Sequence, residues 1–161
     1  MSLESVKTFL AANAPDLHVI ELAASTATVA LAAEAHGVEP GRIAKTLSLR
    51  VGSDVVLLVT RGDARLDNQK YKAAFRAKAV MLDAAEVEAE TGHPVGGVSP
   101  LGLVRPLRVY CDVSLKAFDE VLPAAGATNA AVRIAPDRLA ALTSAEWVDV
   151  TKDPGAEPSP A

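Results

Sequence analysis

Two neighbouring segments carry the strand-like pattern of this chain and predict a β-hairpin. In residues 43–51 the side chains alternate, and Lys45 falls on the same face as Leu47 and Leu49, because successive side chains of a strand point to opposite faces. Residues 55–60 are apolar on both faces, which is typical of a central strand. A short Gly-Ser-Asp turn joins the two segments, so we expect them to pair as neighbours.

Helical spacing of apolar residues, with capping residues before it and glycine or proline after it, predicts the helices. Asp67 and Asp83 are expected to be N-caps, the latter with Glu86 in a capping box, and Ser114 is expected to cap a later helix. Helices are predicted over residues 3–10, 28–36, 67–77, 83–91, 115–122 and 136–143, and further strands over 17–22, 79–82, 107–113, 130–135 and 147–150.

Strands and helices are intermixed along the chain without strict alternation, which favours an α/β fold of the α+β kind. We expect a mixed, curved sheet with helices packed on its outside. The length of 161 residues suits one domain, which we predict over residues 1–152. Residues 153–161 contain three prolines and no apolar cluster, and they are expected to form a disordered tail.

Composition narrows the class of protein. Half of the residues are apolar and 22% are charged, which is the balance of a globular protein. No apolar run approaches the roughly 20 residues of a membrane span, and the first ten residues show no secretory signal pattern. Cys111 is the only cysteine, which excludes an internal disulfide and fits a reducing compartment. We therefore expect a cytoplasmic protein that does not contact membranes.

The net charge of −4 argues against indiscriminate binding of nucleic acid. Residues 61–78 differ from the rest, since six basic against two acidic residues give this segment +4 and leave −8 elsewhere. Two interpretations stay open: a solvated helix face, or a local patch that holds a phosphate backbone at a defined place. In the second case we expect Arg61, Arg65 and Lys70 to contribute.

A glycine-rich loop is predicted over residues 91–102, which read TGHPVGGVSPLG and hold four glycines and two prolines. Glycine lets a ligand approach the main chain closely, and proline stiffens the loop and removes an N–H group. Gly96, Gly97 and Pro100 therefore indicate a rigid loop with free amides that hold an acceptor atom. The alternative is an ordinary connection between a helix and a strand.

Lys45 is the most informative single residue, because the alternation places its ammonium group on an apolar face. A buried and unpaired ammonium is costly. The side chain therefore needs an acidic neighbour, an anionic ligand or a path to solvent. The alternative is a strand that begins after Lys45, with the side chain extended outward into water.

The other reactive side chains give no sign of a nucleophile or a metal site. Cys111 alternates with apolar residues and is predicted to lie in the core. The three histidines lack metal-binding spacing, so neither a metal nor another cofactor is expected. His93 is expected to face solvent, with contact to a substrate as the alternative. Ser99 has no evident base, and Thr128 is either a turn residue or part of a pocket.

Two motifs together resemble the YbaK/prolyl-tRNA-synthetase-associated domain family. They are the strand segment IAKTL around Lys45 and, about fifty residues later, the loop TGHPVGGVSPLG. Members of the family are freestanding relatives of the editing insertion of bacterial prolyl-tRNA synthetases, and the resemblance covers roughly residues 2–150. It implies a mixed, partly barrel-like sheet wrapped by helices, and hydrolysis of mischarged aminoacyl-tRNA in translation fidelity.

The resemblance also implies roles for particular residues. Lys45 would orient the terminal adenosine of the tRNA through its phosphate, and the amides of the G-x-x-x-P loop from Gly96 to Pro100 would grip the aminoacyl carbonyl. The 2′-hydroxyl of the tRNA would help to activate water, so that no protein nucleophile is needed. Val98 and Ser99, with Thr128 as a further candidate, would contribute to the pocket that selects the amino acid.

The resemblance leaves substrate selection open, because members edit different amino acids, among them alanine, cysteine, serine and threonine. These 161 residues hold no synthetase catalytic domain. Selection of tRNA-Pro or a related tRNA would therefore come from a local surface or from an aminoacyl-tRNA synthetase as a partner. The alternative function is a non-catalytic module that binds a nucleotide or a tRNA end, which would protect an aminoacyl ester rather than cleave it.

Overall fold

The computed structural model describes residues 2–152, so the disordered tail expected over residues 153–161 lies outside the described residues. The helices are α1 (Ser2–Asn13), α2 (Val29–His36), α3 (Asn68–Phe75), α4 (Ala84–Thr91) and α5 (Pro136–Thr143), and the strands are β1 (Val19–Glu21), β2 (Ile43–Val51), β3 (Asp54–Arg61), β4 (Arg65–Leu66), β5 (Arg108–Asp112), β6 (Leu122–Pro123), β7 (Ala130–Val132), β8 (Glu146–Val148) and β9 (Thr151–Lys152).

The main sheet has five strands in the order β6-β2-β3-β5-β8 and curls into a half-barrel with helices outside it. β2 and β3 form the predicted antiparallel hairpin, in which Lys45 lies opposite Thr60. The other three strand pairs of this sheet are parallel. The predicted mixed and curved sheet is therefore confirmed. Two small two-stranded sheets, β1-β7 and β4-β9, flank it.

The capping residues predicted for α3 and α4 occupy those positions, and α2 has an N-cap, Thr28, that was not predicted. Thr28 accepts a hydrogen bond from the N–H of Leu31 at the start of α2, and the Asp67 side chain caps α3. Asp83 and Glu86 form the expected reciprocal capping box at the start of α4. These helices begin where the sequence indicates because each cap satisfies main-chain N–H groups that have no partner inside the helix.

The helix predicted over residues 115–122 is wrong. Residues Val113–Ala117 form a single 3₁₀ turn, and its cap is Asp112 rather than Ser114. Leu122 then pairs with Ile43 in the main sheet. The helical spacing of apolar residues in this segment does not produce a helix, because the end of the segment forms a buried parallel pairing that extends the sheet over the core.

The predicted strand over residues 79–82 is reduced to a bridge. Met81 pairs with Leu49, and two main-chain hydrogen bonds tie this segment to β2. The small strands β4 and β9 were not predicted, since two-residue pairings leave no periodic signal in the sequence. No helix within residues 2–152 has the length and hydrophobicity to cross a membrane.

Candidate active site

A cavity of about 370 Å³ opens beside β2 at one edge of the main sheet. β6 covers this edge only at the start of β2, and residues 80–82 cover it again near Ser48 and Arg50. α2 and the chain before it line one side, and α4 with the glycine-rich loop lines the other. The volume is typical of a site for a small ligand, and most of its wall is apolar.

Lys45 lines this cavity from the third position of β2. The interpretation in which the strand begins after Lys45 is therefore wrong. Its Nζ donates a hydrogen bond to the carbonyl oxygen of Ala64 at 2.6 Å. Burial lowers the pKa of the ammonium below its ordinary value, the carboxylate of Asp63 acts in the opposite direction, and the guanidinium of Arg65 adds to the lowering. The cation is thus half-buried and incompletely compensated.

Gly96 and Val98 line the same cavity, and each carries a main-chain N–H group. Gly96 has φ of +89°, and a Cβ there would stand 3.0 Å from the Cβ of Ala27, so only glycine fits without strain. Within residues 2–152, no hydrogen-bond acceptor is found for the N–H groups of Gly96 and Val98. The expectation of free loop amides thus agrees with the structure at these two positions.

The remaining loop residues pack away from the cavity. Gly97 is buried, and its N–H donates to the carbonyl oxygen of Pro94 at 2.9 Å, so the amide of Gly97 is not free as expected. Ser99 and Pro100 are also buried, and the Ser99 hydroxyl accepts a hydrogen bond from the N–H of Leu101. Neither lines the cavity wall. Within residues 2–152, the loop thus leaves the amides of Gly96 and Val98 without an acceptor, while Gly97 and Ser99 take part in its internal hydrogen bonds.

Thr128 is exposed and does not line the cavity. Its carbonyl oxygen accepts hydrogen bonds from the N–H of Thr26 at 2.6 Å and from the Thr26 hydroxyl at 3.2 Å. Thr26 and Ala27 line the cavity instead. The residue expected to form the pocket therefore supports the segment that does form it.

His93 is fully buried, so the expectation that it faces solvent is wrong. Its Nε2 lies 3.0 Å from the carbonyl oxygen of Leu101, which can only accept, so Nε2 carries the proton. Its Nδ1 is buried with no partner within the described chain. The imidazole thus joins the two ends of the glycine-rich loop in its neutral form, and burial lowers its pKa.

The free energy of unfolding is expected to fall as the pH drops below about 6.5, because the unfolded chain then binds a proton that buried His93 resists. A second proton would sit on Nδ1, where the described residues offer no acceptor. Urea unfolding at pH 7.5 and pH 5.5 measures this loss. The variant His93→Gln should lose less stability over the same interval, and an equal loss would contradict this assignment.

Cys111 lies in the core as predicted, with a solvent exposure of 0%. Burial raises the pKa of its thiol to about 12, so a nucleophilic thiolate is scarce at neutral pH. The variant Cys111→Ala is therefore expected to keep its turnover within a few-fold of wild type and to lose about 1 kcal/mol of stability. Steady-state rates and urea unfolding of the same preparation check both expectations, and a large loss of turnover at unchanged stability would contradict them.

The three basic residues expected to hold tRNA differ in how free they are. Arg61 forms two hydrogen bonds to Asp63, and Lys70 pairs with Asp149 at 3.1 Å. Arg65 takes part in none of the ion pairs found within residues 2–152. None of the three lines the cavity, although the charge of Arg65 acts on Lys45. Of the three, Arg65 is the cation most available to an incoming phosphate.

Sequence reasoning missed two polar residues of the cavity. The hydroxyl of Thr46 and the Nε2 of His36 are buried without partners in the described chain, and both residues line the cavity. Their signal was available: Thr46 is a polar residue that directly follows Lys45 in β2, and His36 ends a helix rich in alanine. No cluster of three metal-binding side chains occurs in residues 2–152.

The fold is an α/β domain with a cavity lined by the half-buried Lys45 and by Gly96 and Val98, whose N–H groups have no acceptor within residues 2–152. The family model for the aminoacyl-tRNA editing domain matches residues 23–142, and the chain belongs to this family.

Three similar proteins support the assignment. The uncharacterized protein YwhH of Bacillus subtilis (strain 168) is 46% identical over 155 residues, which are 95% of this chain and 99% of that protein. EbsC of Enterococcus faecalis, provisionally named a Cys-tRNA(Pro)/Cys-tRNA(Cys) deacylase, is 33% identical over 74% of each chain. A crystal structure described provisionally as a trans-editing enzyme for prolyl tRNA synthetase matches with a TM-score of 0.87 and 35% identity, and covers 94% of this chain and 98% of that one.

Proposed function

We propose that this protein is a trans-editing hydrolase that removes the amino acid from mischarged aminoacyl-tRNA. The observation that carries the proposal is the cavity lined by the ammonium of Lys45 and by the free amides of Gly96 and Val98. A cation for the phosphate and main-chain donors for the carbonyl are the two functions that the reaction needs from the protein.

The reaction is hydrolysis of the ester between the amino acid and the terminal ribose. Water adds to the carbonyl carbon, negative charge develops on the carbonyl oxygen, and the bond to the ribose oxygen breaks as that oxygen takes up a proton. The amides of Gly96 and Val98 stabilise the developing charge, and one such donor is worth roughly 3 kcal/mol. Gly97 positions them through its contact with the neighbouring segment.

No protein nucleophile is required by this mechanism. The thiol of Cys111 is buried, and the hydroxyl of Ser99 is engaged with the N–H of Leu101. The 2′-hydroxyl of the tRNA activates the water, as the family resemblance implies. Lys45 binds the terminal phosphate, and this contact holds the ester in position for the attack of water.

The amino acid is selected by the walls of the cavity, of which Val98 is a part. Exclusion by size discriminates by about 1–3 kcal/mol for each methylene group. We propose tRNA-Pro as the substrate RNA and a synthetase as a partner, since the similar proteins include one named for Cys-tRNA(Pro) and one named for prolyl tRNA synthetase.

A deacylation screen tests the proposal. Purified protein is incubated with tRNA-Pro charged with alanine, cysteine, serine, threonine or proline, and loss of the ester is followed over time. We expect rapid loss of at least one mischarged ester and survival of the proline ester. Binding of the charged tRNA with protection of every ester would support the non-catalytic binding module instead.

The basic residues are expected to anchor the acceptor end of the tRNA. Neutralising Arg61, Arg65 and Lys70 together should weaken tRNA binding and flatten its dependence on salt, because fewer counterions are released. Arg65→Ala alone should give most of the effect, since Asp63 and Asp149 occupy the other two cations. Fluorescence titrations between 50 and 200 mM salt, roughly the range in which such contacts respond, measure the slope. An unchanged dependence of tRNA binding on salt would show that these residues form a solvated surface that does not bind tRNA.

A further inference from the structure

The edge of β2 is open at Thr46. The carbonyl oxygen of Ser48 accepts from the N–H of Leu82 at 3.1 Å, and the N–H of Arg50 donates to the carbonyl oxygen of Val80 at 2.8 Å. Both residues therefore direct their main-chain groups away from β3. Since these groups alternate along a strand in an antiparallel pair, the N–H and C=O of Thr46 point to the same outer edge.

No hydrogen-bond partner for the main chain of Thr46 is found in the described chain. β6 pairs with β2 only at Ile43 and Ala44, and no hydrogen bond from a loop residue to the main chain of Thr46 is found in residues 2–152. The hydroxyl of Thr46 is buried and equally without a partner there. One cavity residue thus presents an unpaired donor, an unpaired acceptor and an unpaired hydroxyl, whereas buried polar groups are normally paired.

Apolar side chains line the same cavity as this edge. Leu47, Met81 and Val95 line the cavity, and the last two leave 56% and 57% of their surface exposed. Exposed apolar residues grouped around a cavity are typical of a ligand-binding groove. A polar edge between apolar walls suits a flat ring that has hydrogen-bonding groups along one side.

The length of the open edge limits what can occupy it. The gap lies between the residues covered by β6 and those covered by residues 80–82, and it exposes the main-chain groups of Thr46 alone. A peptide strand would need a longer edge. The amino group of the aminoacyl moiety could donate to the carbonyl oxygen of Thr46, but it would leave the N–H of Thr46 without an acceptor. Adenine presents a 6-amino donor beside a ring-nitrogen acceptor, and this pair matches the donor and acceptor of one residue.

We propose that the main chain of Thr46 binds the terminal adenine of the tRNA. The carbonyl oxygen of Thr46 accepts from the 6-amino group, and its N–H donates to the neighbouring ring nitrogen, while Met81 and Val95 cover the ring. This inference rests on the proposed function and makes it more specific. Adjacent residues of one strand, Lys45 and Thr46, would then hold the phosphate and the base of the same nucleotide.

A binding experiment tests the inference without any hydrolysis. The ¹⁵N-labelled protein is titrated with adenosine 5′-monophosphate and with purine riboside 5′-monophosphate, which lacks only the 6-amino group. We expect the Thr46 amide signal to shift with the adenine nucleotide, and the purine nucleotide to bind roughly tenfold more weakly, as for the loss of a base-edge contact. Equal affinities, an unmoved Thr46 signal, or no binding at millimolar concentration would overturn the inference.

A kinetic experiment separates this inference from the proposed function. Charged tRNA acceptor-stem minihelices that end in adenosine or in purine riboside are compared with the wild type, with Met81→Ala and with Val80→Ala as the control. Val80 is 51% exposed but does not line the cavity. We expect a slower reaction with purine riboside and with Met81→Ala, and a wild-type rate with Val80→Ala.

The two possible failures give different results. Hydrolysis that is equally rapid with adenosine and with purine riboside at the end of the minihelix would overturn the adenine site. It would leave the proposed editing function unaffected. Absence of hydrolysis for every ester, together with a shifted Thr46 signal and a preference for the adenine nucleotide, would overturn the editing function and support the adenine site.

Discussion

Replacing Lys45 with alanine is expected to lower the single-turnover rate of deacylation at least about a hundredfold, because the acceptor end is no longer fixed against the loop amides. The fold should stay intact or become slightly more stable. Burial lowers the pKa of this ammonium, so the unfolded chain holds the proton more tightly, and the charged side chain costs stability at neutral pH. Its contact with the Ala64 carbonyl oxygen offsets part of that cost.

Two further variants separate charge from packing. Lys45→Met keeps most of the aliphatic stem and loses the charge, so it should be as inactive as Lys45→Ala. Lys72→Ala removes an exposed cation from α3 and should react at the wild-type rate. Urea unfolding and single-turnover deacylation are measured on all three. Full activity of Lys45→Ala, combined with inactivity of Cys111→Ala at unchanged stability, would replace the proposed mechanism with a thiol mechanism.

Replacing Gly97 with alanine is expected to reduce turnover about a hundredfold and to cost about 1–3 kcal/mol of stability. A Cβ at Gly97 would stand 2.7–2.9 Å from main-chain atoms of Ala127, and main-chain atoms cannot rotate away. The carbonyl oxygen of Gly97 also accepts from the N–H of Gly126 at 2.9 Å. The loop must therefore move, and the amides of Gly96 and Val98 on either side of Gly97 move with it.

Gly52→Ala is the matched control for a glycine substitution. Gly52 lies in the hairpin turn with φ of +62°, and a Cβ there would meet no atom within 4 Å. This variant should lose about 1 kcal/mol through backbone strain and keep its turnover. If Gly97→Ala reacts as fast as Gly52→Ala, the contact with Ala127 does not position the loop amides.

The elements predicted correctly are those whose signals lie within a few residues of one another. The hairpin of β2 and β3, the capping box at Asp83 and the end of α2 at Gly37 all depend on local alternation, side-chain caps or positive φ. The wrong helix over residues 115–122 fails for the opposite reason. The partner of Leu122 is Ile43, which is far away in the sequence.

The candidate site was predicted in part. Lys45, Gly96 and Val98 line one cavity, although about fifty residues separate the lysine from the loop. The direction of each loop amide was not predictable, since Gly96 and Gly97 look equivalent in the sequence. Their neighbours distinguish them: the N–H of Gly97 donates to the carbonyl oxygen of Pro94, whereas no acceptor for the N–H of Gly96 is found within residues 2–152.

Taken by itself, the sequence determined the strand that holds Lys45, the glycine-rich loop and the family resemblance, because periodicity, caps and motifs act over short distances. Only the tertiary structure decided that His93 is buried, that Thr128 supports the pocket from outside, and that the edge of β2 stays open at Thr46. Burial and hydrogen-bond pairing depend on which distant segments come into contact, and local propensity does not determine those contacts.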